Sequence, residues 1–339
     1  MLASRSAALV RQAQRAFVTP AGWFKREEAI MGTAIAVELW AEDEASGQAA
    51  IDAVMAEMHR IDRLMSPHKA DSELSRINRH AAAQPVRLSS EMFGLIEKAL
   101  AFSAISRGAF DISYASVGQL YDYRAGVAPG GAALAAARVA IGWRGLKLDR
   151  AARTLAFAHP GMRIDLGGFA KGHAVDNAVA IVAQRGIAHA HISAGGDSRV
   201  VGDRRGRPWT IGVRHPRDAK ALVAVLPLEN TAVSTSGDYE RYFEQGGVRH
   251  HHIIDPATGQ SPAAVHSVTI LAADGLTAEA MSKSLFVLGV ERGMALIESQ
   301  PGVDAIVVDA QGRLHYSTGL QNHSGAAEQD RRQVTVIDR

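Results

Sequence analysis

Residues Arg163 to Asp176 read RIDLGGFAKGHAVD, a short apolar stretch that meets a Gly-Gly turn and then a helix. Gly167 and Gly168 allow a backbone to approach a ligand closely, and a helix start offers free N–H groups and a positive dipole end to an anion. Lys171 adds a full positive charge, so the chemistry suggested is the binding of a phosphate or pyrophosphate. The spacing is neither the Rossmann nor the Walker pattern, and a plain strand-to-helix link has the same composition. A second pair, Gly195-Gly196 before Asp197, ends another β-like run and fits a bulge or a ligand lip. Thr235-Ser236-Gly237-Asp238 offers hydroxyls suited to phosphate or ribose, or else a helix cap before Tyr239 to Phe243.

The densest group is His250 to Gly259, HHHIIDPATG. On an extended strand His250 and His252 share one side and His251 faces the other. Zinc sites space their ligands differently, and the chain has neither Cys nor an HExxH motif. A His with Asp255 nearby suits general-base work near neutral pH.

The elements that must hold these groups come from periodicity. Met31 to Trp40 reads as a strand, and Ala45 to Met65 as a helix carrying Ile51, Val54, Met55, Met58, Ile61 and Leu64. Ser89 to Ile105 is a second helix with Ser90 as N-cap. A Gly/Ala-rich loop from Arg124 to Ala137 runs into a helix, and Leu146 to Ala158 forms two strands about a turn. Gly172 to Arg185 is helical, followed by strands at 188–193, 209–213, 222–226, 231–235 and 265–272. Helices at 278–288 and 290–299 and a strand at 305–308 close the pattern. Strands in runs favour an α+β protein over a doubly wound sheet.

A chain of 339 residues that is 47% hydrophobic and 21% charged is globular and not disordered. The net charge of +2 argues against nucleic acid and anionic membranes as partners. Without Cys there are no disulfides, thiolate metal sites or lipid on an N-terminal Cys. No apolar run is long enough for membrane insertion. Residues 1–29 are expected to form a loose basic leader, 30–317 one domain, and 318–339 a polar tail.

Six segments in the same order resemble the ApbE family of FAD:protein FMN transferases. They are Met31 to Thr33; Ile61 to Ser66 with Ser72 to Asn78; Gly108 to Ser113; Ile164 to Asp176; Thr235 to Phe243 with His252 to Gly259; and Leu285 to Gly289. The likeness spans about residues 30 to 310. It implies an ApbE-like (T-fold-like) α+β fold of two closely associated α/β halves, with FAD held in the cleft between them. It implies transfer of FMN from FAD to a Ser or Thr of a target flavoprotein, through a phosphoester bond and with release of AMP. The alternatives are a FAD-binding pseudoenzyme or scaffold, and a pyrophosphatase that splits FAD into FMN and AMP.

Carried over residue by residue, the resemblance makes His252 and Lys171 catalytic. It puts Met31, Asn78, Asp111, Gly167, Gly168, Lys171, Gly195, Gly196, Asp197, Thr235, Ser236, Gly237, Asp238, His252, Ile253 and Asp255 along the FAD. The family's Mg²⁺ implies ligands at Gly168, at an Asp and at a Thr four residues later, where this chain has Glu279 and Lys283. A charged Lys is no ligand, and Glu279 with Lys283 has the i,i+4 spacing of a helical ion pair. His173 replaces a usual Tyr, and His68 stands where an aromatic commonly lies. The expected location is the cytoplasm, with the periplasm as the alternative.

Overall fold

In the computed structural model of the chain, which describes residues 20–321 and 335–336, Met31 and Gly32 have φ of 54° and 71°. Two successive positive φ values make the hairpin turn whose twist matches its strands. That turn joins β1 (Gly22–Ile30) to β2 (Thr33–Ala41), paired from Gly22 with Ala41 to Ile30 with Thr33. The expected leader therefore gives way to a strand at Gly22. Its charges are those of an edge strand, which tolerates them: Arg26 reaches Asp52 and Gln48, and Glu28 meets His59. Residues 1–19, on which the expectation of a leader and of cytoplasmic residence rests, lie outside the described residues.

Helix α1 (Glu44–Met65) starts where Asp43 accepts the Ser46 N–H, and it buries Ile51, Val54, Met55, Met58, Ile61 and Met65. After α2 (Glu73–His80) and β3 (Val86–Arg87) comes α3 (Ser90–Ile105), capped by Ser89, one residue before the expected cap. Short helices α4 (Ala115–Gly118) and α5 (Gly131–Arg138) lead to the hairpin of β4 (Leu146–Asp149) and β5 (Thr154–Phe157). Next are α6 (Ala170–Gln184), β6 (Ala190–Ala194), β7 (Asp197–Val201), β8 (Trp209–Arg214), β9 (Leu222–Leu228) and β10 (Ala232–Gly237). The expected helix at Tyr239 to Phe243 is instead the start of a hairpin, β11 (Tyr242–Gln245) and β12 (Val248–His251). Gly246 and Gly247, at φ 60° and 77°, make its turn. The chain closes with β13 (Val265–Ala272), α7 (Gly275–Glu298), β14 (Asp304–Asp309) and β15 (Leu314–Tyr316). In the expected tail, β16 (Thr335–Val336) pairs with β9, and the segments on either side of it lie outside the described residues.

Eight strands form one antiparallel sheet in the order β1-β2-β6-β7-β10-β13-β14-β15. Alternation divides its residues between two faces. On one face Ile35, Val37 and Ile192 pack under α1 and α6, while Val268, Ile270 and Val307 pack with Leu285, Phe286 and Ile297 of α7. The opposite face of β13 and β14 supplies Leu271, Ile306 and Val308 to Val213, Val223 and Leu226 of the β8–β9 pair. The two halves thus share a single sheet, and the fold is α+β.

Helices α6 and α7 meet at their N-termini, and this junction positions the site. A Cβ on Gly172 would collide with the backbone of Gly275, so only glycine permits the approach. Each helix caps the other. Asp176 of α6 accepts the N–H groups of Gly275 and Leu276 at 2.8 and 3.0 Å. Glu279 of α7 accepts the N–H of Gly172 at 2.8 Å, in the first turn of a helix that has no side-chain cap of its own. Gly289, at φ 75° and ψ 179°, breaks α7 into the two helical stretches that its periodicity predicts.

Candidate active site

At the α6–α7 junction two carboxylates share one ammonium. Lys171 Nζ donates to Asp197 Oδ2 at 2.5 Å and to Glu279 Oε1. Glu279 is fully buried and Asp197 is 3% exposed. Burial opposes charge on Lys171, but the pull of Asp197 and then of Glu279 outweighs it and holds the ammonium above the usual lysine range. Burial likewise works against ionised Asp197, yet Lys171 and then Lys283 keep its carboxyl below the usual range. Glu279 is pushed up by burial and then by repulsion from Asp197. The expected i,i+4 pair of Glu279 with Lys283 does not form. The longer Glu side chain is taken up by Lys171 and the Gly172 N–H instead.

Lys283 lies one turn further along α7. Its stem runs over the Gly-Gly turn, where a Cβ on Gly168 would sit 3.6 Å from Lys283 Cγ and Cε. Its ammonium donates to Ser236 Oγ at 2.8 Å and to Ser282 Oγ at 3.5 Å. Buried Ser282 Oγ also meets Ser234 and Ser236, and Ser234 donates to Asp197. A chain of hydroxyls therefore ties the two lysines together through β10. Among the described residues no carboxylate lies within ion-pair distance of Lys283, and burial draws its pKa down.

His252 follows β12, so strand alternation ends before it. His250 stacks on Phe243 with ring centres 5.1 Å apart, and buried His251 meets Pro262 O at 2.9 Å and the edge of Phe286. Enclosure, followed by the charge of Lys283, pushes His252 down to about 3, so its imidazole is neutral at physiological pH. Its Nδ1 is enclosed with no hydrogen-bond partner among the described residues.

Other residues that the resemblance puts along the FAD hold parts of the chain to one another. Asn78 clamps the backbone of Ile164, giving and accepting one hydrogen bond of 2.8 Å each way. That fixes the segment leading to Gly167 and Gly168. Asp111 caps the turn at Ser113 and accepts from the N–H of Trp143. Asp238 is held by both arms of Arg217, at 2.7 and 2.6 Å, with His266 beside it. Asp255 and Thr258 close their own turn, and Ile253 belongs to the core. Gly195 has φ 63° and packs on Thr33, while a Cβ on Gly196 would come within 2.6 Å of Thr235 O. These contacts bring the Met31 hairpin, the β6–β7 turn and β10 together. Thr235 bonds Thr269 at 2.9 Å, and the ring of Tyr239 crowds Gly237.

Asp165 belongs to the Gly-Gly turn. It accepts the Gly167 N–H at 2.5 Å, and burial raises its pKa beside Tyr114, exposed His68 and Arg241. An Asp two residues before a Gly-Gly turn is the available signal for that turn. Asp176, which accepts two N–H groups at the start of α7, and the Ser234–Ser282–Ser236 chain gave no such signal. Their partners are 46 to 100 residues away. Two cavities of about 390 and 360 Å³ lie elsewhere, against Arg150 and against His191 with Trp209.

Fixed ammonium groups, hydroxyls and an uncharged imidazole beside a Gly-Gly turn define a protein that handles a phosphate-bearing ligand. The chain belongs to the ApbE family, whose model matches residues 31–307. It is 32% identical over 317 residues to the FAD:protein FMN transferase of Treponema pallidum (strain Nichols), covering 88% of this chain and 87% of that one. It is 33% identical over 283 residues to an enzyme of the same name from Klebsiella pneumoniae (strain 342), covering 82% and 87%. The ApbE protein of Thermotoga maritima MSB8 superposes with a TM-score of 0.83 at 31% identity, over 89% of this chain and 99% of that one. The flavin transferase ApbE of Vibrio cholerae gives 0.80 at 28% identity, with the same coverage.

Proposed function

We propose that this protein is an FAD:protein FMN transferase acting on a Ser or Thr of a target flavoprotein. The observation that carries this reading is the enclosed His252 imidazole, kept neutral by burial and by the charge of Lys283, with the Gly167–Gly168 turn under Lys283. The acceptor Oγ attacks the phosphorus of the FMN half. The new Oγ–P bond replaces the bond to the AMP phosphate, AMP leaves, and the hydroxyl proton passes to His252. Burial and neighbouring positive charges make free His252 a weak base. An incoming diphosphate offsets those charges and so raises the proton affinity of the imidazole when the reaction needs it. Lys171 and its two carboxylates hold the helix start and β7 in place around the phosphates.

The Mg²⁺ implied by the family calls for oxygen ligands in near-octahedral order. Glu279 is engaged by Lys171 and the Gly172 N–H, and an ammonium stands at the second side-chain position. These residues do not fit the ion, and no step above runs through it.

The test is incubation with FAD and a panel of FMN-accepting proteins, read by in-gel flavin fluorescence. Covalent labelling by the wild type and its loss in His252→Ala support the reading. Bound FAD without labelling marks a scaffold, and FMN with AMP but no labelled acceptor marks a pyrophosphatase. Either result contradicts it.

A further inference from the structure

Lys171 and Lys283 exchange the tasks that the sequence suggests for them. Lys171 has two carboxylates in contact, so its charge is matched within the protein. Among the described residues Lys283 donates only to hydroxyls, Ser236 at 2.8 Å and Ser282 at 3.5 Å. An ammonium has three donors, which leaves Lys283 with capacity for an outside acceptor. Its stem is pinned over Gly168, so the charge is held at the turn and does not swing through solvent.

The four ionisable groups Lys171, Lys283, Asp197 and Glu279 sum to zero. With Thr in place of Lys283 the same cluster would carry a net negative charge and draw in a cation. With Lys283 present it is complete, and a divalent ion beside the ammonium would be repelled by several kT at these distances.

We propose that the Lys283 ammonium is the fixed cation that receives the diphosphate of FAD, in the place where relatives of this chain would use a divalent metal. This rests on the reading of the site as an FAD site. Its consequence is FAD binding that requires no divalent metal.

FAD affinity of the full chain is measured by calorimetry, without acceptor protein, in EDTA and in millimolar Mg²⁺. Wild type should bind with the same Kd, within about twofold, in both. Lys283→Met, which keeps the stem and removes the charge, should lose about tenfold or more in both, as expected when a charge-assisted contact is removed. Lys283→Arg should retain most of the affinity. Glu279→Asp with Lys283→Thr should bind FAD far better in Mg²⁺ than in EDTA. Far-UV circular dichroism and melting establish that each variant is folded, and the wild-type comparison needs no variant. Wild-type affinity that collapses in EDTA, or Lys283→Met binding as tightly as wild type, overturns the inference while the transferase reading stands. No FAD binding in any condition overturns both. Metal-independent binding without transfer sinks only the transferase reading.

Discussion

Two clusters of opposite charges flank the site, and they differ in the ratio of cations to carboxylates. At the α6–α7 junction Lys171 sits between Asp197 and Glu279, both almost wholly buried. On the β11–β12 side Asp238, also buried, is gripped by Arg217, with Arg249 3.7 Å away, and the two Arg side chains are 35% and 27% exposed. The chemistry is the same. Removing Lys171 leaves two buried carboxylates with no cation in contact, whereas Asp238 keeps Arg249 and His266 beside it when Arg217 is lost. The junction therefore holds the architecture of the site, and the rim tolerates change.

The largest expected effect is at the junction. Lys171→Met leaves two buried carboxylates without their cation and should cost about 3–5 kcal/mol of stability, measured by urea denaturation. A loss below about 1 kcal/mol would erase the contrast between the clusters. His252→Ala should lower transfer about a hundredfold, as removal of a general base does, with FAD affinity nearly unchanged. Loss of affinity with an intact rate would assign His252 to binding instead. Gly172→Ala drives a methyl group into the backbone of Gly275 and should cost about 1–3 kcal/mol. A neutral outcome would mean that the helix ends can slide apart.

Acid sharpens the comparison in another way. His252 titrates at about 3 in the folded chain and near 6.5 when unfolded. Below pH 6.5 the unfolded state takes up the proton first, so stability falls as pH drops from about 6.5 towards 3. His252→Asn should show a shallower decline over that window, and parallel curves would contradict the enclosure of the imidazole. The smallest effect is at the rim, where Arg217→Ala should cost no more than about 1 kcal/mol, diminishing in salt.

Local pattern made much of the fold legible. The stripe from Ile51 to Met65 specified α1, and β13 runs over the span that its apolar sequence predicts. Strand β1 was hidden because Lys25, Arg26, Glu27 and Glu28 read as solvated charge, although they alternate on an edge strand. The β11–β12 hairpin was hidden behind a polar turn whose Gly246-Gly247 signal was passed over. At the candidate site, residue types singled out Lys171 and His252, and the resemblance added Lys283. Pairing did not follow, because Lys171 and Glu279 are 108 residues apart. The i,i+4 rule offered Glu279 a local partner, but the crossing of two helix ends gave it a better one: an ammonium together with a backbone N–H.

Flavin transfer carried out in excess EDTA tests the central claim most directly. Wild-type protein, FAD and an FMN-accepting protein are incubated with and without EDTA, and the acceptor mass is recorded. The account predicts that acceptor mass rises by one FMN phosphoester in both, with AMP released in equal amount and the labelling abolished in His252→Ala. An acceptor that stays unmodified in both, while FAD is bound, would contradict it.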